Sequence, residues 1–199
     1  MNSFVIKEMF HGINLTQQEI DIIAHHIKRI AVQKGCIILS EGQPAPNLYF
    51  VYSGCLRTYF LDNESKEYTI QFAVDDWWIT DYMAFVANES AMLNIECLQD
   101  TIIYQLPKKS LEGMYTQIPQ IEKFYRDRVE TTLVSFQKRL ISTMVQSAQE
   151  RYMMFTHTYP NINKLIKNYH IASYLGITPQ SLSRVKKCVN LGCEKLTPI

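Results

Sequence analysis

The sequence predicts an α+β fold in which an antiparallel β-roll of the jelly-roll type precedes one long helix and a C-terminal pair of short helices. Short β-type runs separated by turn signals fill the first half of the chain. An apolar stripe at helical spacing follows Pro119. Two short helix patterns joined by a glycine then occur between residues 168 and 187.

Composition and charge indicate a globular protein whose two halves differ. The chain has 199 residues, of which 47% are hydrophobic, and this is enough for a substantial core. Residues 1–117 hold 8 Lys and Arg against 14 Asp and Glu, a balance of −6. Residues 118–199 hold 12 against 5, a balance of +7. A basic C-terminal part indicates a polyanion as its partner.

The N-terminus and the cysteines predict the compartment. Residues 1–8 lack a basic region followed by a long apolar run, and no segment is long enough to span a bilayer, so a cytoplasmic protein without a membrane partner is expected. No Cys-x-x-Cys pair or Cys/His cluster occurs, so free thiols, no metal and no cofactor are expected. The cysteines are Cys36, Cys55, Cys97, Cys188 and Cys193.

A capping box begins the first predicted helix. Thr16 and Glu19 stand three residues apart and isoleucines follow at helical spacing, so residues 16–29 are expected to form an amphipathic helix. His25 and His26 are neighbours within it. Because adjacent helical side chains diverge, we interpret this pair as packed or solvated rather than as metal ligands.

Short strands are predicted from Ile30 onward. Turn signals such as Lys34-Gly35 and Ser53-Gly54 separate runs rich in β-branched and aromatic residues. Such runs at regular spacing, without alternating helices, predict an antiparallel roll with room for a small ligand inside. The runs cover residues 36–39, 48–52, 56–61, 68–74, 94–98 and 101–106.

The long helix is predicted by apolar residues that recur at steps of three and four between Ile118 and Met144. They trace one stripe over about seven helical turns. Because the stripe is near-heptad, it predicts the seam of a homodimer. The alternative is a helix buried wholly within its own subunit. The seam residues are Ile121, Tyr125, Val129, Leu133, Phe136 and Leu140.

Residues 168–187 have the pattern of a helix-turn-helix. The first helix has Asn168 as its candidate N-cap and ends at Gly176, and Thr178-Pro179 begins the second. The second helix has one apolar side and one polar, basic side, as in helices that contact base edges and phosphates. An ordinary helical hairpin with a solvated outer face is the alternative. The candidate DNA-contacting residues are Thr178, Gln180, Ser181, Ser183, Arg184, Lys186 and Lys187.

These boundaries predict three domains. Residues 1–117 form a β-roll sensor domain, and residues 118–146 form the dimerisation helix with a hinge at its end. Residues 147–199 form a DNA-binding domain of the winged-helix type, which begins with a second capping box from Ser147 to Glu150. Because little chain follows the recognition helix, a wing would come mainly from residues before Asn168.

The order of roll, long helix and helix-turn-helix resembles that of the Crp/Fnr family of transcription regulators. The resemblance covers essentially the whole chain and is most specific at residues 171–185, which read IASYLGITPQSLSRV. The segment from Gln149 to Tyr152, followed by a Tyr-Pro pair, is similar to the branch common in the Bacteroidetes.

The resemblance implies a homodimer that binds double-stranded DNA at an inverted-repeat operator, with RNA polymerase as a candidate partner. In the family the second helix enters the major groove, and by position Gln180, Ser181 and Arg184 would face the bases. Pro179 stands where relatives often carry a donor or an acceptor, so the half-site sequence does not carry over.

The family's cyclic-AMP cassette is altered in this chain. Relatives that bind cyclic AMP use a Gly-Glu pair for the ribose and a later Arg-Ser or Arg-Thr for the cyclic phosphate, where this chain has Thr80-Asp81 and Ala91-Met92. A phosphate would lack its bidentate partner there, and no response to cyclic AMP is expected. An unknown small-molecule effector is not excluded. The ligand-pocket candidates are Trp78, Thr80, Asp81, Phe85, Ala91 and Met92.

Sequence-specific DNA binding by a homodimeric transcription regulator is therefore the leading function. The alternative is a ligand-sensing or scaffold protein whose helix-turn-helix serves as a protein-contact surface. The basic residues Arg184, Lys186 and Lys187 favour DNA. No nucleophile, base and orienting group occur at a readable spacing, so no enzyme is predicted.

Overall fold

The computed structural model describes residues 3–190. The strands in that range are β1 (Lys28–Val32), β2 (Ile37–Leu39), β3 (Asn47–Ser53), β4 (Leu56–Leu61), β5 (Glu67–Ala73), β6 (Trp78–Ile79), β7 (Asn94–Cys97) and β8 (Thr101–Pro107). The helices are α1 (Ser3–Met9), α2 (Gln17–His26), α3 (Tyr82–Ala87), α4 (Lys108–Gln117), α5 (Pro119–Val145), α6 (Ala148–Thr158), α7 (Ile162–Leu165), α8 (Asn168–Leu175) and α9 (Pro179–Asn190).

The strands form two four-stranded sheets, and the predicted antiparallel roll is confirmed. One sheet has the order β1-β8-β3-β6 and the other the order β2-β7-β4-β5. In the first sheet Lys28 opposes Gln105 in an antiparallel pair. In the second, Leu56 opposes Cys97 in the same way.

Side chains of the first sheet alternate between two cores because successive strand residues point to opposite faces. In β3, Leu48 and Phe50 join the outer core, which lies between this sheet and helices α1, α2, α4 and the start of α5. Tyr49 and Val51 join the inner core, which lies between the two sheets. Burying one such side chain contributes about 1.5–3 kcal/mol, so both faces stabilise the roll.

The turn between β3 and β4 requires the glycine at position 54. The φ of Gly54 is +115°, and a Cβ there would lie 2.9 Å from the carbonyl oxygen of Asp100. An L side chain avoids both this dihedral angle and this approach. The N–H of Gly54 donates to the carboxylate of Asp75 at 2.8 Å.

The chain divides into two compact units. The first holds the residues up to Phe60 together with Gln71–Thr132, and the second holds Leu61–Ile70 together with the residues from Leu133 onward. The division therefore falls inside α5. It also assigns the outer part of the β4–β5 hairpin to the unit that contains helices α6 to α9.

Both predicted capping boxes are confirmed. The N–H of Glu19 donates to the Thr16 hydroxyl at 3.3 Å, and the N–H of Thr16 donates to the Glu19 carboxylate at 2.7 Å. Ser147 and Glu150 make the same reciprocal pair at 3.3 and 2.8 Å. Hydrogen bonds from Thr16 hold the pKa of the Glu19 carboxyl below its usual value.

The first predicted helix and one predicted cap differ from the structure. Helix α2 ends at His26 because Ile27 has extended dihedral angles, and β1 begins at once afterwards. The cap position of α8 is Lys167 rather than Asn168. The Asn168 side chain accepts a hydrogen bond from Lys186 at 2.5 Å instead. The sequence did not predict α1, α3, α4, α7, β1 or β6.

The structure contains helices but no strand between residues 148 and 190, so the described part of this segment includes no wing. Cys193 and the predicted end of the domain at residue 199 lie outside the described residues. Within residues 3–190, no helix is long and apolar enough to cross a membrane. No group of three His, Cys, Asp or Glu residues in the same range could hold a metal ion.

Candidate nucleic-acid interface

Helices α8 and α9 are joined by a short turn that Gly176 makes possible. Its φ is +66°, and its N–H donates to the carbonyl of Ser173 at 3.2 Å. The N–H of Ile177 donates to the carbonyl of Ala172 at 3.0 Å. These bonds satisfy the last carbonyls of α8 and end the helix, as left-handed glycines commonly do.

Helix α9 starts where the sequence predicts it. The Thr178 hydroxyl accepts the N–H of Ser181 at 3.2 Å, and Pro179 occupies the first helical position. Leu182 and Val185 are buried. The opposite side, here called the α9 outer face, is exposed and consists of Gln180, Ser183, Arg184 and Lys187.

The four residues of the α9 outer face lie at positions i, i+3, i+4 and i+7, so they share one side of the helix. This side presents an amide, a hydroxyl, a guanidinium and an ammonium group. Such groups can donate to the bases and phosphates of a major groove. Helix α9 therefore has the arrangement that direct readout requires.

Hydroxyl groups organise the first turn of α9. The Ser181 oxygen accepts from the Thr178 hydroxyl at 3.1 Å and from a guanidinium nitrogen of Arg184 at 3.3 Å. The Ser183 hydroxyl donates to the carbonyl of Pro179 at 3.1 Å. Ser181 is half-buried at the margin of the outer face, whereas Ser183 is exposed within it.

The two lysines that the sequence placed together have different surroundings. Lys187 is exposed. The Lys186 ammonium donates to the Asn168 side chain at 2.5 Å and lies 5.8 Å from the centre of the Tyr152 ring. Partial burial lowers the pKa of Lys186. Lys186 therefore joins α9 to α8 and α6, and Lys187 remains open to a partner.

Further exposed groups lie in α7 and at the start of α8, and the sequence pattern did not single them out. Lys164, Lys167 and Tyr169 are exposed. Helix α8 begins without a side-chain cap, and the N–H of His170 in its first turn donates to the carbonyl of Lys167 at 3.1 Å. The Lys-x-x-Lys spacing of Lys164 and Lys167, directly before the helix-turn-helix, is the sequence signal that could have identified them.

Asp81, a ligand-pocket candidate, is completely buried. One carboxylate oxygen accepts the N–H of Ala84 at 3.3 Å and caps α3. The other accepts the N–H groups of Met92 and Leu93 at 2.8 and 2.9 Å. The carboxylate thus binds backbone at the start of α3 and in the loop between α3 and β7, residues 88–93, which we call the cassette loop.

The other pocket candidates lie in three different surroundings. The Thr80 hydroxyl donates to the carbonyl of Asn47 at 2.8 Å, and Ala91 is part of the inner core. Met92 is 53% exposed. Trp78 and Phe85 belong to the outer core, where the Trp78 ring lies 5.2 Å from that of Phe50. The aromatic pair therefore lies outside the space between the two sheets.

Arg57 is buried at 1% exposure and forms an ion pair within the second sheet. Its guanidinium donates to Glu96 at 2.6 and 2.8 Å and lies 4.1 Å from the centre of the Tyr59 ring. Leu56 belongs to the inner core. Because neighbouring strand residues point to opposite faces, Arg57 points away from that core.

The predicted seam divides into a buried and an exposed part. Ile121 and Tyr125 contact the outer core of their own chain. Leu133 and Leu140 are each 57% exposed. Phe136 is half-buried beneath the Arg139 guanidinium, 5.2 Å from its ring centre. Further exposed apolar residues on α5 are Val129, Val134, Ile141, Met144 and Val145.

Comparison with known proteins locates relatives of both parts of the chain. Residues 29–117 match the family model of the cyclic nucleotide-binding domain. The anaerobic regulatory protein of Pasteurella multocida is 20% identical over 194 residues, which cover 90% of this chain and 70% of that protein. The transcriptional activator protein Anr of Pseudomonas aeruginosa is 20% identical over 185 residues, covering 87% and 75%.

Solved structures share the fold. FixK2 from Bradyrhizobium japonicum superimposes with a TM-score of 0.73 at 19% identity, covering 87% of this chain and 89% of that chain. A transcriptional regulator of the Crp/Fnr family from Eubacterium rectale gives a TM-score of 0.68 at 21% identity, with 92% and 88% covered.

The fold and the α9 outer face define a class of proteins in which a roll of the cyclic nucleotide-binding type precedes a long helix and a helix-turn-helix. Of these relatives, which match along most of this chain, one is a regulatory protein and the other a transcriptional activator. Residues 29–117 thus carry a roll of the cyclic nucleotide-binding type, and the chain is similar along most of its length to transcription regulators of the Crp/Fnr type.

Proposed function

We propose that this protein is a homodimeric, sequence-specific DNA-binding transcription regulator whose roll does not respond to cyclic AMP. The main support for DNA binding is the exposure of the α9 outer face. Its polar and basic side chains are exposed at helical spacing, while Leu182 and Val185 fix the opposite side of the helix. Arg184 is suited to a guanine and Lys187 to a phosphate.

The start of α8 supports a second contact with the DNA backbone. The exposed Lys167 lies at the N-terminus of this helix, where the helix dipole favours anions. Phosphate contacts of this kind fix the register of the protein on the duplex without reading its sequence.

Selection of bound sequences from a random duplex pool, followed by titration at several salt concentrations, tests this function. We expect an inverted repeat whose half-sites are centred about 10 base pairs apart. The logarithm of the affinity should fall linearly with the logarithm of the salt concentration, because phosphate contacts release counterions. Failure to bind any duplex of the pool would contradict DNA binding and favour a protein-contact surface, and duplex binding that ignores salt would contradict the phosphate contacts.

The exposed part of the α5 stripe supports the homodimer. Leu133, Leu140 and Met144 expose 57%, 57% and 73% of their surface. Contiguous exposed apolar surface on a globular protein commonly marks an interaction site. A second copy of the same helix supplies the matching surface in a two-stranded coiled coil. A two-fold dimer also accounts for the two half-sites of the expected operator.

Replacing Leu133 and Leu140 together by Glu tests the dimer without disturbing the contact between Phe136 and Arg139. We expect a wild-type dimer at micromolar concentration and a monomeric double variant by sedimentation velocity, because like charges would face each other across the seam. Lys138→Glu, an exposed change elsewhere on α5, should leave the dimer intact. A monomeric wild-type protein contradicts the proposal.

Three observations support the absence of a cyclic AMP response. Ala91 carries no charge at the position of the phosphate-binding arginine, Arg57 is engaged by Glu96, and Asp81 is engaged by backbone amides. Burying a phosphate without a cation costs several kcal/mol. Titration calorimetry should therefore detect no binding at physiological concentration. A dissociation constant below about 10 μM would refute this part of the proposal.

A further inference from the structure

The outer part of the β4–β5 hairpin is hydrogen-bonded to the first helix of the helix-turn-helix. The Ser173 hydroxyl donates to the carbonyl of Glu67 at 2.8 Å and accepts the N–H of Thr69 at 2.8 Å. These residues are more than 100 positions apart in the chain and belong to the same compact unit. We call this pair of bonds the clasp.

A second anchor joins the same hairpin to α5 and α8. The Arg139 guanidinium donates to the carbonyl of Ile70 and lies 4.7 Å from the centre of the Tyr174 ring. The Tyr174 ring in turn lies 5.3 Å from that of Phe155 and 6.1 Å from that of Tyr159 in centre-to-centre distance. The hairpin, α5, α8 and α6 therefore form a continuous chain of contacts.

The hairpin is ordered up to its turn, so the clasp attaches α8 to a structured element. The Asp62 carboxylate accepts the N–H groups of Glu64 and Lys66, each at 2.9 Å. The N–H of Asp62 donates to the carbonyl of Lys66 at 3.1 Å. Strand β5 is the last strand in the order of its sheet, so one of its edges can accept a further partner. Ser173 bonds to two backbone groups of β5.

The clasp leaves the DNA-contacting surface uncovered. Gln180, Ser183, Arg184 and Lys187 are exposed in the same structure in which Ser173 is engaged. The clasp is therefore compatible with DNA binding and does not act by masking the recognition helix. The clasp restricts the orientation of α8. Because the turn at Gly176 is short, it also restricts the orientation of α9.

We propose that Ser173 is a positioning residue for DNA binding, which holds α8 against the β4–β5 hairpin so that α9 meets the operator in a fixed orientation. This inference rests on the proposed function. Fixing an element before it binds removes part of the entropy cost of association, which raises affinity. Specific binding needs an exact orientation of α9, whereas non-specific phosphate contacts tolerate a looser one.

Ser173→Ala tests the clasp in the full-length protein, with Ser173→Thr as the variant that retains a hydroxyl. Amide exchange at Thr69 is followed by NMR, and binding is titrated on the selected operator and on an unrelated duplex. For Ser173→Ala we expect exchange at Thr69 to accelerate at least tenfold and operator affinity to fall about tenfold, the size of one or two hydrogen bonds. In Ser173→Ala, the affinity for the unrelated duplex and the salt slope of binding should not change. Ser173→Thr should show the wild-type exchange rate at Thr69 and the wild-type operator affinity.

Two further variants separate positioning from a loss of stability. Arg139→Gln removes the second anchor and should also lower operator affinity selectively. Thr156→Ala, which removes a hydroxyl that bonds only within α6, should leave Thr69 exchange and operator affinity unchanged. A thermal midpoint within a few degrees of wild type for Ser173→Ala would exclude unfolding as the cause of its lower affinity.

Each contrary result has a distinct meaning. Unchanged exchange at Thr69 in Ser173→Ala would show that the clasp does not form. Faster exchange with unchanged or higher operator affinity would show that the clasp forms and does not position α9. If the wild-type protein binds neither duplex, the proposed function fails, and that failure is separate from a failure of the clasp.

Discussion

The cassette loop of the roll and the recognition helix both carry polar residues suited to a ligand, but they use them differently. Beside the loop, the Asp81 carboxylate is buried and accepts hydrogen bonds from three backbone amides. In α9, Gln180, Arg184 and Lys187 are exposed.

The comparison shows that a buried polar residue can serve the fold where an exposed one stays available to a partner. A carboxylate whose oxygens are already occupied by backbone amides has little capacity left for a ribose. Its role is to hold the loop between α3 and β7 in place. An exposed guanidinium, in contrast, can exchange its water for a base edge at little cost.

The largest effect is expected at Asp81. Asp81→Ala leaves three backbone amides without their acceptor and should lower the free energy of unfolding of the roll by about 3–5 kcal/mol. Asp81→Asn should cost less because one acceptor oxygen remains. Urea denaturation provides the measurement, with the exposed Met92→Ala as a control expected to stay within about 0.5 kcal/mol of wild type. A stable Asp81→Ala protein would contradict the structural role.

Arg184 should affect binding rather than folding. Arg184→Ala is expected to cost about 1–3 kcal/mol at the selected operator and to relax specificity at one base pair in each half-site. Its unfolding transition should match that of the wild type because the side chain is exposed. Unchanged affinity and selectivity on a panel of single-base operator variants would remove Arg184 from the readout.

Lys187 and Lys186 form a matched pair with a smaller expected effect. Lys187→Ala should weaken binding to every duplex alike and reduce the salt slope by about one unit, because it removes one phosphate contact. Lys186→Ala should leave the salt slope unchanged and instead lower stability by about 1 kcal/mol, since Lys186 binds Asn168. Equal salt slopes for the two variants would contradict the different roles.

The smallest response is expected from the thiols inside the roll. Burial raises the pKa of Cys55 to about 12 and that of Cys97 to about 11. Since the thiolate is the reactive form, both should resist iodoacetamide at pH 8 in the native protein and react only once it unfolds. Cys36, which is exposed, serves as the positive control in mass spectrometry of labelled peptides. Rapid native labelling of Cys97 would contradict its burial.

Local patterns predicted the elements well where their signals were short-range. The capping boxes at Thr16 and Ser147, the end of α8 at Gly176 and the start of α9 at Thr178 depend on residues within five positions of one another. The unpredicted α3 shows the limit of such signals. Its cap, Asp81, also bonds to Met92 and Leu93, so this segment is stabilised by residues outside its own pattern.

The candidate interface was predictable in part for the same reason. Helical spacing by itself separates Arg184 and Lys187 from the buried Leu182 and Val185. It does not separate Lys186 from Lys187, because the difference lies in Asn168 and Tyr152 on other helices. The spacing on α5 likewise predicts one continuous apolar seam, whereas packing against the outer core buries the first part of that seam.

Neighbours along the chain fix the order of parts, the strand and helix periods, the helix caps and the polar side of α9, so these features were readable from the amino-acid pattern. Tertiary structure decided which polar groups bind the chain itself and which stay open. Asp81 finds its amides 11 and 12 residues away, and Ser173 finds the hairpin more than 100 residues away. Whether a polar side chain has spare hydrogen-bonding capacity depends on the groups that folding brings within about 3 Å of it. For Asp81 and Ser173 these groups include residues outside the local pattern.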